Sequence, residues 1–189
     1  MEEVSRETIE RARKGDVEAF RLIVSIYQKP VVSAVYRFAG SRLGQEAEDI
    51  AQEIFVKVFR SIHRFDFSRQ TRFSTWVFTF VRNHCYDVLK KRQLPVQSLE
   101  AAAGDGAVPE LPAGGPRPSR LLLNDELGAH IENAVLKLPA EQRLAFILRE
   151  YEGLGYSEIA QILDCSIGTV KSRIHRAKEA LRSHLQDYL

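Results

Sequence analysis

The stretch Tyr156-Ser-Glu-Ile-Ala-Gln-Ile-Leu-Asp-Cys-Ser-Ile-Gly-Thr-Val-Lys-Ser-Arg-Ile-His-Arg-Ala-Lys-Glu-Ala-Leu181 decides the fold of the carboxy-terminal third of the chain. It spells two helices around a tight turn. Ser157 is placed to cap the first, whose apolar face is Ile159, Ala160 and Leu163. The helix breaks at Asp164-Cys165-Ser166, and Ser166 is placed to cap the second. There Ile167, Val170, Ile174, Ala177 and Leu181 recur at steps of three and four, the spacing of one buried stripe. The other side carries Thr169, Lys171, Ser172, Arg173, His175 and Arg176. A short helix packed across a longer one with such a face is the helix-turn-helix arrangement, whose second helix enters a DNA major groove.

Charge placement supports contact with DNA over a merely solvated helix. Residues 123–165 carry three basic and eight acidic side chains, whereas residues 166–189 carry five basic and two acidic ones. Positive charge is thus concentrated on the helix whose geometry suits a groove.

The 189-residue chain has a formal net charge of only +2, so nucleic-acid binding must come from local patches. Cys85 and Cys165 stand far apart with no His/Cys cluster nearby. This spacing argues against zinc or a disulfide framework and fits free thiols in a reducing cytosol. The amino terminus lacks the basic start and apolar core of a signal peptide, and no run has the length of a membrane span. A soluble, intracellular protein with no membrane insertion is expected.

Residues 93–122 lose apolar periodicity and fill with Ala, Gly and Pro, which reads as a flexible linker. The chain accordingly divides into an amino-terminal helical domain, residues 1–92, the linker, and a carboxy-terminal helix-turn-helix domain, residues 123–189. The fold class is all-α. In the first domain Ser5 caps a helix ending near Lys14, Asp16 caps a second, and Pro30 opens a third reaching Phe38. A long amphipathic helix follows from about Gln45 to Ile62, its Ile50, Ile54 and Val58 facing a core while Asp49, Gln52 and Glu53 face outward. After a polar loop from Phe67 to Ser74, a last helix runs from about Thr75 to Arg92.

Residues 40–56 hold one basic side chain against four acidic ones, and residues 64–92 hold seven basic against two acidic. One face therefore suits a protein partner and another suits nucleic acid. Aromatic residues interleave the basic stretch, as in single-strand binders where bases stack on rings and cations hold phosphates. Phe67, on the loop, is the better placed for a base, while Trp76 fits a core position as well as a base contact.

No nucleotide-binding glycine loop, metal cluster or nucleophile-with-base arrangement is visible, so neither a cofactor nor catalysis is expected. The helix-turn-helix taken alone also fits an autonomous repressor or activator with an amino-terminal dimerisation or sensor module. A helical adaptor with solvated basic faces is a further alternative.

Glu48-Asp-Ile-Ala-Gln-Glu-Ile-Phe-Val-Lys-Val-Phe-Arg60, then Phe73-Ser-Thr-Trp-Val77 with Arg82-Asn83, then the terminal helix-turn-helix, together resemble the ECF-type sigma factors. These are bacterial RNA polymerase specificity subunits with two helical domains, and the likeness extends over nearly the whole chain outside the linker. The resemblance implies that Asp49, Gln52 and Glu53 dock on the clamp helices of the polymerase largest subunit, β′. It further implies that the −10 element is melted and a base is flipped into a pocket of the Phe67–Ser74 loop. The −10 set is then Phe67, Arg69, Arg72, Trp76, Arg82 and Asn83. Asn suits a base edge because its amide both donates and accepts. By the same resemblance the −35 duplex is read by Thr169, Lys171, Ser172, Arg173, His175 and Arg176, an anti-sigma factor holds the free protein, and the linker threads the polymerase cleft. A coil of about thirty residues spans roughly 30 Å and reaches about 100 Å when extended. Promoter elements about two duplex turns apart lie roughly 70 Å from one another, so the linker must be stretched.

Overall fold

The computed structural model describes residues 3–40, 46–68, 71–93 and 120–186; most of the predicted linker and Arg69 lie outside them. The described residues form helices and no strand. Helix α1 spans Arg6–Arg13, α2 Val17–Ala39, α3 Ala47–Ser61 and α4 Phe73–Gln93. A 3-10 turn, Ile62–Arg64, follows α3. In the second half α5 spans Arg120–Lys137, α6 Ala140–Glu150, α7 Tyr156–Leu163 and α8 Ile167–His184. Helix α5 thus begins inside the stretch that composition assigns to the linker.

The capping logic of the first two helices holds. The Ser5 hydroxyl accepts the Thr8 N–H at 3.2 Å, and the Asp16 carboxylate accepts those of Glu18 and Ala19 at 3.0 and 3.1 Å. Pro30, however, does not open a helix; it lies inside α2. An interior proline costs about 3 kcal/mol. The stripe Ile23, Tyr27, Val31, Ala34, Val35 and Phe38 is buried on both sides of it. At roughly 1.5–3 kcal/mol for a large apolar side chain, that burial outweighs the missing N–H.

Around α2 the amino-terminal domain packs Ile54 and Val58 of α3 and Val77, Phe78 and Val81 of α4, all fully buried. In the carboxy-terminal domain Leu144, Ile147 and Leu148 of α6 meet Ile159 and Ile162 of α7 and Val170 and Ala177 of α8. The two domains also touch, α4 lying against α7 and α2 against α5 and α6. Arg143 of α6 fastens this contact: its guanidinium donates to the Phe38 carbonyl at the end of α2 (2.8 Å), to Leu138 O (2.9 Å) and to Leu136 O. Gly40 closes α2 at φ +83°, and a Cβ there would stand 2.7 Å from a Leu136 methyl. Arg37 stacks over the Tyr151 ring at 3.8 Å and faces Glu132 at 3.9 Å.

Candidate nucleic-acid and polymerase interfaces

Helix α3 buries Ala47, Ile50, Ala51, Ile54, Phe55 and Val58, which turns Asp49, Gln52 and Glu53 together onto its exposed side. Beside Gln52 a cleft of about 590 Å³ opens between α2 and α3, lined by Phe20, Val24, Ala51, Phe55, Val56 and Phe59 among others. Val56 and Phe59 remain about half exposed. Glu48, Gln52, Gln28 and Arg21 edge this apolar trough, and the Asp49 and Glu53 carboxylates are exposed on the same helix, a combination suited to a protein partner. Charge selects the approach, and apolar burial supplies the affinity.

The second face lies along the loop into α4. Phe65, Phe67, Phe73, Trp76 and Phe80 form one aromatic chain, with successive ring centroids 4.9–5.5 Å apart. Trp76 is half-buried within it, joining core and surface. Phe67 is also half-buried, and the Arg6 and Arg13 guanidiniums stand 4.8 and 5.6 Å from its centroid. The Asp66 carboxylate shapes the loop by accepting the Ser68 N–H at 2.9 Å. Asn83 is exposed and accepts from Arg82 at 3.3 Å, while the Arg82 Nε is buried with no hydrogen-bond partner.

Helix α7 is capped differently from the sequence reading. Its N-cap is Gly155, not Ser157, because the Glu158 carboxylate reaches back to accept the Gly155 N–H at 2.7 Å. That glutamate also faces α4, meeting Arg72 at 3.4 Å and the Thr75 hydroxyl at 3.5 Å. Asp164, at φ 52°, makes the left-handed turn, and the Ser166 hydroxyl caps α8 by accepting the Thr169 N–H at 3.0 Å. Lys171, Ser172, His175 and Arg176 are exposed along α8. Thr169 is half-buried, its hydroxyl 2.9 Å from that of Ser166.

Two residues of α8 depart from the periodic reading. Ile167 is 46% exposed. It occupies the first position of the helix. Arg173 turns inward, 19% exposed, against the Glu141 carboxylate and within 3.4 Å of the Cys165 Sγ. It therefore stands apart from the exposed cationic face. Across the domain contact, burial and then Glu141 raise the Tyr86 hydroxyl pKa, while Arg173 and Arg82 oppose them. Of the −10 and −35 residues expected from the sequence, Arg72, Arg82 and Arg173 thus border the place where the two domains meet.

Residues 23–94 match the family model for sigma-70 region 2, and residues 129–181 match that for sigma-70, region 4. The ECF RNA polymerase sigma factor SigW of Bacillus subtilis is 37% identical, with 99% of this chain and 100% of SigW covered. The RNA polymerase sigma-H factor of Pseudomonas aeruginosa is 34% identical over 100% of this chain and 97% of its own. The chain belongs to the ECF RNA polymerase sigma factors. The solved sigma factor RpoE of Bartonella quintana, in complex with the anti-sigma factor NepR, has the same fold at a TM-score of 0.65. It is 24% identical, with coverage of 90% of this chain and 98% of that one.

Within this sigma factor, region 2 begins inside α2, so α1 precedes the matched segment. Sigma factors are transcription initiation factors, and RNA polymerase is the enzyme they serve. No described helix of this one is long and apolar enough to cross a membrane.

Proposed function

We propose that this sigma factor binds core RNA polymerase through Asp49, Gln52 and Glu53. It reads the −10 strand with the Phe67 loop and α4, reads the −35 duplex with α8, and performs no covalent chemistry itself. The observation that carries the reading is a division of surface. The acid-and-amide face of α3 and the cationic face of α8 are exposed on separate domains, and neither is used by its own core. Lys171, Ser172, His175 and Arg176 are the groove-facing set. Lys and Arg suit guanine edges or phosphates, while Ser suits backbone or base. Arg173 acts from behind, holding α8 against Glu141. Phe67, Arg69, Arg72, Trp76, Arg82 and Asn83 form the −10 set, in which Phe67 and Asn83 offer a ring face and an amide to an unpaired base.

The domain contact gives the sigma factor a resting arrangement. With α7 against α4, its two domains are in contact, whereas their promoter elements lie roughly 70 Å apart. Promoter binding therefore requires the domains to part while the linker of residues 93–122 stretches between them. An anti-sigma factor, such as the one in the Bartonella quintana RpoE complex, is the partner suited to hold them together in the cytoplasm.

The test is a pull-down with core polymerase. Replacing Asp49, Gln52 and Glu53 together with Ala removes exposed side chains, so unfolding is expected to stay within about 0.5 kcal/mol per site. Core binding is expected to fall at least tenfold. Unchanged retention on the core refutes the docking assignment.

A further inference from the structure

Helix α1 and the residues just before it touch both flanks of the Phe67 loop and the Phe67 ring itself. At the near end, Arg13 Nη2 donates to the His63 carbonyl at 3.2 Å, fixing the 3-10 turn from which the loop departs. At the far end, the hydroxyl of buried Ser74, in the first turn of α4, donates to Glu3. Between them Arg6 and Arg13 stand over the Phe67 ring. Val4, Ile9 and Ala12 are buried beneath, so the helix itself is fixed to the domain. Arg6 is further oriented by Glu10, which accepts from its Nε at 2.8 Å.

The chemistry of this arrangement favours an unpaired base. A guanidinium over one part of an aromatic surface leaves ring area for a nucleobase, and its positive charge remains available to the strand's phosphates. Arg13 is exposed yet tied by a hydrogen bond and a ring contact to two points of one loop. A solvated surface arginine has no need of either.

We propose that α1, which lies outside the region 2 match, is part of the −10 site, with Arg13 the positioning residue that holds Phe67 ready to receive an unpaired base of the non-template strand. The proposal rests on the assignment of that loop to the −10 element. Arg6 adds a second cation over the same ring, and its loss has the smaller effect because the contact lacks the bond to His63.

The experiment uses holoenzyme assembled with core polymerase and a labelled non-template-strand oligonucleotide covering the −10 element of a mapped promoter. One abasic site is moved through the oligonucleotide. Wild-type holoenzyme should lose affinity sharply at the position of the received base. Arg13→Ala should lower affinity for the intact oligonucleotide about tenfold and shrink the abasic penalty at that position toward one. Core binding, −35 duplex binding and the Tm should stay unchanged. Arg13→Lys, which can still donate to His63 O, should recover part of the discrimination.

A full abasic penalty in Arg13→Ala overturns the positioning role. So does an equal loss at every position accompanied by a lower Tm, since a merely structural arginine would behave in that way. If the wild-type holoenzyme shows no abasic penalty anywhere, the base-receiving assignment of the loop falls first and the role of Arg13 falls with it.

Discussion

Glu152, in the turn after α6, should make domain closure sensitive to pH. Its Oε1 is buried with no hydrogen-bond partner, and burial pushes the carboxyl from 4.5 up to about 7, while the Ser33 hydroxyl and the Arg37 guanidinium pull the other way. Ser33 and Arg37 belong to α2 in the other domain, so Glu152 lies at the domain contact; parting the domains lets water reach the carboxyl and removes the burial that raises it, and the loss of the opposing pull of Ser33 and Arg37 offsets only part of that fall. The closed form binds the proton more tightly, so closure is fully supported below about pH 4.5. That support is lost as the pH rises through about 7. At about 1.4 kcal/mol per tenfold in proton affinity, the upper bound is roughly 3.5 kcal/mol. The carboxyl is only partly enclosed, and solvent screening reduces this to about 1–2 kcal/mol, roughly a 5- to 30-fold change in the closed-to-open ratio. Small-angle scattering at constant salt should show a larger radius of gyration at pH 8 than at pH 5. Glu152→Gln should remove most of the difference and stay closed at both. A wild-type radius independent of pH, or an equal pH response in Glu152→Gln, refutes the reasoning.

Asn83→Ala should reduce open-complex formation, read by permanganate reactivity, more than −35 duplex binding; equal losses would remove Asn83 from the −10 site. Gly40→Ala forces a side chain onto a φ of +83° and against Leu136, so a loss of about 1–3 kcal/mol is expected in thermal unfolding, and an unchanged Tm would contradict the packing described. Cys165 is half-exposed, whereas burial pushes the Cys85 thiol up to about 12. One thiol should therefore react with a disulfide reagent in the native protein and two after denaturation, and two fast native thiols would show that the α4 core opens.

What the sequence makes legible is whatever local chemistry decides. Ser5, Asp16 and Ser166 cap helices because a short side-chain oxygen beside an exposed N–H needs nothing distant. The outward turn of Asp49, Gln52 and Glu53 follows from apolar spacing alone. Pro30 misleads because its local preference for a helix start is overridden by a stripe buried on either side of it. Ser157 misleads because the cap of α7 is supplied by a glutamate reaching back to a glycine. Arg173 shows the limit of periodicity: its spacing places it on the DNA side, yet Glu141, thirty-two residues earlier, draws it inward. The hold of α1 on the Phe67 loop joins residues some fifty to seventy positions apart, which no sequence period encodes.

This sigma factor directs core RNA polymerase to promoters. Run-off transcription with core polymerase, with and without the protein, on the region upstream of its own gene tests this most directly. Discrete transcripts that depend on the protein, with start sites preceded by −35 and −10 elements, are the predicted result. No transcript, together with specific duplex binding in the absence of polymerase, would contradict the account and identify an autonomous regulator instead.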